Sequence, residues 1–131
     1  MEEEEFSLVG ETGLTVRGKI IRPKPRGSFP LAVICGDLSA APNTPITKAR
    51  EAGFAFAAYD PTNGVGGSDG RMCDVTLSQR ARDLEIVVEY AKRRAYVQER
   101  KVLVIGIGFG GTAALALEGF KPLARGLVLV N

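Results

Sequence analysis

The sequence predicts an α/β fold: a mostly parallel sheet led by an antiparallel hairpin, with helices on both faces in three layers. Three observations carry this. The runs Leu31–Cys35, Phe54–Tyr59, Lys101–Ile105 and Leu127–Val130 have no polar face, the mark of strands buried on both sides. Helical patterns separate most of these runs, so the strands need right-handed crossovers. Ahead of them, Glu4–Val9 and Leu14–Arg22 alternate around the turn Gly10-Glu11-Thr12-Gly13, which is a hairpin pattern.

The elements follow in order. Pro23–Pro30 reads as a loop, because its prolines cannot continue a ladder. The strand Leu31–Cys35 breaks at Gly36-Asp37. Asn43-Thr44-Pro45 is a helix start, with a polar cap and proline at the first helical position. Ile46–Glu51 is then a short helix closed by Gly53. After Phe54–Tyr59 comes a glycine-rich loop, Thr62–Arg71. Thr76-Leu77-Ser78-Gln79 is a capping box that opens a long helix. Its apolar stripe is Leu77, Ala81, Leu84, Val87, Val88 and Ala91. Lys92, Arg93 and Arg94 suit its C-terminal dipole and a solvated helix end.

Composition narrows the function. The 131 residues make one domain of ordinary size with a net charge of +2, too small for a nucleic-acid surface. Basic residues do not cluster with aromatics along the sequence. The opening MEEEE is the reverse of a secretory signal, and no apolar run approaches a membrane span, so the expected location is cytoplasmic. Cys35 and Cys73 have no metal spacing and read as reduced thiols. The sequence contains no histidine, which excludes any Ser-His-acid or Cys-His mechanism within this chain.

The organising stretch is Lys101–Leu117, KVLVIGIGFGGTAALAL. It reads as a buried strand, a tight turn over Gly106–Gly111, and a small, apolar helix from Thr112 to Leu117. Such a turn carries either a catalytic nucleophile or a pyrophosphate.

From Leu31 onward the order of features resembles the N-terminal half of an α/β-hydrolase, in its esterase, acyl-hydrolase and peptidase-like branches. PLAVICGD (Pro30 to Asp37) resembles the third strand and its oxyanion loop. YDPTNGVGGSDGR (Tyr59 to Arg71) resembles the loop after the fourth strand. VLVIGIGFGGTAALAL resembles the nucleophile elbow, and ARGLVLVN the sixth strand. The resemblance implies a sheet ordered 1-2-4-3-5-6 and a single domain over residues 1–131, truncated after the sixth strand. The departures fall on the chemistry. Gly108 stands where the family has its serine, Cys35 and Gly36 stand where it has histidine and glycine, and the family's acid and histidine are absent. What the resemblance leaves is backbone: the amides of Asp37 and Phe109 at the two oxyanion positions. The implied function is a catalytically silent half-domain with no cofactor and no bound metal, able to hold a small acyl or anionic ligand at the glycine turn. An alternative is an ester or acyl hydrolase active only with a complementing segment.

Two further readings are open. Gly106, Gly108 and Gly111 also fit a dinucleotide fingerprint, with Asn131 where an acid would meet the ribose. Asp37, Asp60 and Asp69 could meet as a weak cation site, although loop aspartates usually cap turns. For partners, the last strand would be an apolar edge without proline or lysine. A homodimer through that strand or its flanking helices is therefore expected, with neither nucleic acid nor membrane as a partner.

Overall fold

The computed structural model describes residues 2–36, 51–64, 67–120 and 124–130. Its six strands are β1 (Glu2–Val9), β2 (Thr15–Arg22), β3 (Phe29–Cys35), β4 (Ala55–Asp60), β5 (Val97–Ile107) and β6 (Gly126–Val130). They form one sheet in the order β1-β2-β4-β3-β5-β6. The β1–β2 and β2–β4 pairs are antiparallel, and the pairs joining β4, β3, β5 and β6 are parallel. The described helices are α1 (Leu77–Lys92) and α2 (Phe109–Phe120), with a single 3-10 turn at Met72–Asp74.

Sheet parity sorts the core into two faces. Leu31, Val33 and Cys35 point with Ala55, Ala57, Val102 and Val104 toward α1 and α2, which also pack on each other. Ala32, Ile34, Phe56 and Ile105 fill the opposite face, with Ile21. The central strands are thus apolar on both sides, as their runs require. The short helix expected over Ile46–Glu51 lies outside the described residues except for Glu51, which is helical, and Gly53 closes that turn at φ +84°.

Several boundaries differ from the sequence expectation for physical reasons. β3 starts at Phe29 rather than after Pro30, because Phe29 donates its amide to the Tyr96 carbonyl at 2.8 Å. β5 begins at Val97, which pairs with Phe29, and the register slips before Leu31 meets Val102, so polar Gln98–Lys101 sit on an irregularity. The glycine turn is shorter than expected: Gly106 and Ile107 belong to β5, and α2 starts at Phe109, not Thr112.

The helix α1 requires two corrections. Thr76 caps it, its hydroxyl accepting from the Gln79 amide at 3.1 Å, but the Gln79 side chain donates forward to Asp83 at 2.9 Å instead of back to the cap. The buried face also lies off the expected stripe. Leu77 is exposed and Ala81 half-buried, while Arg80 and Asp83 are each 1% exposed alongside Leu84, Val87, Val88 and Ala91. The Asp83 carboxylate accepts both the amide (2.7 Å) and the hydroxyl (2.8 Å) of Thr62. Burial pushes its pKa up, against the lowering pull of those bonds.

The other end of α1 is tied to β1. Glu4 accepts hydrogen bonds from the hydroxyls of Tyr90 (3.0 Å) and Tyr96 (3.1 Å). Arg94 lies over the Tyr90 ring and Arg22 over the Tyr96 ring. Arg22 and Tyr96 are distant in sequence, whereas Arg94 and Tyr90 are four positions apart; both are packed pairs at the hairpin's base.

Asp83→Ala removes the only acceptor named above for the Thr62 amide. A buried unmet donor costs about 1–3 kcal/mol. Chemical denaturation of Asp83→Ala should show a loss of that order, whereas Leu77→Lys, on the exposed side of the same helix, should leave the midpoint unchanged.

Candidate functional site

The site is built where β5 turns into α2. Its apex is Gly108, at φ +57°, in the left-handed region that L side chains adopt only with strain. One residue reverses the chain. The Gly108 amide donates to the Val130 carbonyl of β6 at 3.0 Å, and its own carbonyl accepts from Gly111 (2.9 Å) and Thr112 (3.3 Å), starting the helix.

The neighbouring glycines allow close approach rather than special torsion. A β-carbon on Gly106 would come within 2.5 Å of the Gly111 α-carbon. One on Gly110 would collide with the carbonyl oxygens of Cys35 and Gly36. The first turn of α2 therefore rests directly on the end of β3, bringing together the elbow and the strand end that the sequence singled out.

Beneath this junction lies a polar network. The Arg80 guanidinium donates to the Gly36 carbonyl at 3.1 Å and lies 5.2 Å from the centre of the Phe109 ring. The Tyr59 hydroxyl donates to Cys35 Sγ at 3.2 Å. Burial raises the pKa of both the Cys35 thiol and the Tyr59 hydroxyl. That is the environment of a structural rather than an activated cysteine. Cys73 is exposed, and both cysteines are free.

Asp37 and Asn131 fall outside the described residues. Asp60 accepts from the Gly67 amide at 2.9 Å, and Asp69 is held by Arg17 (2.8 Å) and the Thr15 amide (3.1 Å). Asp69 thus ties the glycine-rich loop to β2, and Asp60 ties it to the end of β4. No group of metal-holding side chains occurs among the described residues. That loop is organised by Asn63, at φ 55°, whose side chain accepts from the Arg71 amide and donates to the Asp74 carbonyl. Sequence reading missed Arg80, Asp83, Asn63 and Tyr59. For the first two a signal existed: charged residues four positions before Leu84 and Val87, on the buried side of a helix.

The chain was compared with known proteins. Its backbone superposes on the crystal structure of the alpha/beta hydrolase GrgF from Penicillium sp. sh18 with a TM-score of 0.82, over 98% of this chain and 45% of that one, at 24% identity. The chain has the α/β-hydrolase fold. An acetyl xylan esterase from Paenibacillus sp. R4 matches with a TM-score of 0.81 over 95% of this chain and 47% of that one, at 18% identity. In sequence, the polyketide transferase grgF of a Penicillium species is 30% identical over 124 residues, 90% of this chain and 41% of that protein. The chain thus spans about half the length of the relatives it matches. No family model matches it. No described helix is long and apolar enough to cross a membrane.

Two outcomes test this geometry. Gly110→Ala forces a methyl onto two carbonyls and should lower stability by about 1–3 kcal/mol. Gly10→Ala, whose added carbon meets nothing nearer than 3.9 Å, should not. The Arg17 guanidinium holds the Asp69 carboxyl below its ordinary range. A depressed folded-state pKa gives stability that is present above the unfolded value and lost as pH falls through the folded one. Protection of the amides in residues 67–71 against hydrogen exchange, relative to their intrinsic rates, should therefore fall on acidification below roughly pH 4, and Asp69→Asn should show the low protection at neutral pH.

Proposed function

We propose that this chain is a catalytically silent half-domain of the α/β-hydrolase fold that holds a small acyl or anionic ligand at its glycine elbow and self-associates through β6. One observation carries the reading. The elbow keeps its reversed backbone at Gly108, φ +57°, but the residue there has no side chain to attack a carbonyl. The absence of histidine removes the usual base. The Phe109 amide, first in α2, and the helix dipole behind it supply partial positive charge at the turn. Such a site binds a carbonyl oxygen or carboxylate without turning it over.

A second reading is favoured by length. The relatives carry about as much chain again as the part matched here. A complementing segment that supplies a nucleophile and a base would make the assembled unit an ester or acyl hydrolase, or an acyl transferase as the Penicillium relative's name suggests. The dinucleotide reading is weaker. Gly106 and Gly111 are used in strand–helix packing, which either family needs, and the turn follows the fifth strand rather than the first.

The purified chain should hydrolyse p-nitrophenyl acetate no faster than a protein-surface background, and Gly108→Ser alone should add little. Turnover abolished by a single change at Gly108 or Cys35 would overturn silence. NAD should bind no tighter than roughly millimolar. A micromolar dissociation constant lost in Gly108→Val would put the dinucleotide reading first.

A further inference from the structure

Arginine is rarely buried completely unless other groups hold it. Arg80, near the start of α1, is 1% exposed. Its guanidinium meets three connections at the elbow end of the sheet. It donates to the carbonyl of Gly36, the residue after β3, at 3.1 Å. It lies 5.2 Å from the ring centre of Phe109, the first residue of α2. Its Nη2 is 3.4 Å from the β-carbon position of Gly64, in the loop after β4. These contacts are made inside the described fold, whatever chain continues beyond β6.

We infer that Arg80 is a positioning residue of the elbow: it sets the distance and angle between the end of β3 and the first turn of α2 without touching the ligand held there. The inference rests on the ligand site proposed above and names the side chain that aligns it.

Burial favours holding over contact. A group that receives a ligand keeps an open face, and at 1% exposure this guanidinium keeps none. What it binds is also placed for alignment. The Gly36 oxygen that accepts from Arg80 is the oxygen that a β-carbon on Gly110 would approach to 2.3 Å. It is therefore pinned between the guanidinium on one side and the bare backbone of α2 on the other. A peptide group is planar, so a bond that fixes its oxygen fixes the angle of the whole group. A charged donor in the interior makes that bond stronger than a neutral one would.

The Phe109 ring completes the grip. A guanidinium is attracted to an aromatic face, and this ring is carried by the residue that opens α2. One side chain thus takes hold of both walls of the corner. Arginine suits the task because its planar fork offers donors at the edge and a flat face for stacking, which an ammonium lacks.

The test titrates the full chain with benzoate and, separately, with benzamide, following the backbone amide resonances of residues 108–112. The two probes have similar shapes, but only benzoate is charged. Arg80→Met should weaken both by the same factor, about tenfold, with an unchanged circular dichroism spectrum. Phe109→Leu keeps the backbone amide and removes the ring, and should weaken both alike by a smaller factor. The double variant should bind no more weakly than Arg80→Met, because the ring acts through the guanidinium. Leu84→Ala, which opens a cavity on the same helix, should lower the melting temperature and leave both affinities as they are.

A loss confined to benzoate means that the guanidinium meets the ligand's charge, and overturns positioning. An unchanged affinity in Arg80→Met overturns it too, as does a matching loss in Leu84→Ala, which makes the effect one of stability. If Arg80→Met does not fold, Phe109→Leu decides, and unchanged affinities there overturn the inference. Neither probe shifting these resonances in the unaltered chain overturns the ligand site and the inference with it, whereas binding that is independent of Arg80 overturns the inference alone.

Discussion

The structure depends on backbone touching backbone where α2 leaves β5. Gly106 faces Gly111, and Gly110 faces the carbonyls that end β3. With no side chain between them, helix and sheet approach closely enough for a single residue to separate the end of the strand from the start of the helix. That approach draws the end of β3, the apex at Gly108 and the end of β6 into one corner. A methyl at Gly110 separates them, which is why three glycines so close together hold more of the site than any polar group does.

Polar groups secure the corner from below. Arg80 reaches from α1 to the Gly36 carbonyl and the Phe109 ring, and Asp83, one turn on, holds Thr62 in the loop after β4. Burying these charges is expensive unless hydrogen bonds meet them. The carboxylate of Asp83 accepts bonds from both Thr62 and Gln79. The same helix is fixed at its far end by Glu4 and two tyrosines. Hence α1 is a strut between the hairpin at one end and the elbow at the other, and its alignment sets the floor of the site.

The chemistry follows from what this corner contains. Its backbone is that of an elbow, with a reversed apex and a helix N-terminus behind it. The Cys35 thiol ends the neighbouring strand β3, and burial pushes its pKa up. On the function proposed above, oriented amides without an attacking group would hold a carbonyl or carboxylate rather than cleave it. The likeness to solved α/β-hydrolases is one of fold.

The strand order came from the resemblance to a known fold, while the sequence by itself determined the α/β class, the hairpin, the Thr76 cap and the turn at Gly108. These are legible because they rest on local properties: strands buried on both sides are apolar throughout, a cap needs a hydroxyl beside a helix, and a one-residue reversal at positive φ needs glycine. It missed the buried placement of Arg80 and Asp83, the forward reach of Gln79, the clamp on Glu4, and the use of Asp60 and Asp69 in closing a loop. Only the tertiary structure decided those. A charged side chain carries the same letter whether it faces water or a partner, and its partners here lie from 4 to 92 positions away along the chain. Periodicity shows which positions lie on one side of a helix, but which side is buried is set by what packs against it. On α1 that side turned far enough to bury Arg80 and expose Leu77, where the end of β3 offers the guanidinium a carbonyl, Phe109 offers it a ring face, and the loop after β4 offers the Asp83 carboxylate an amide and a hydroxyl.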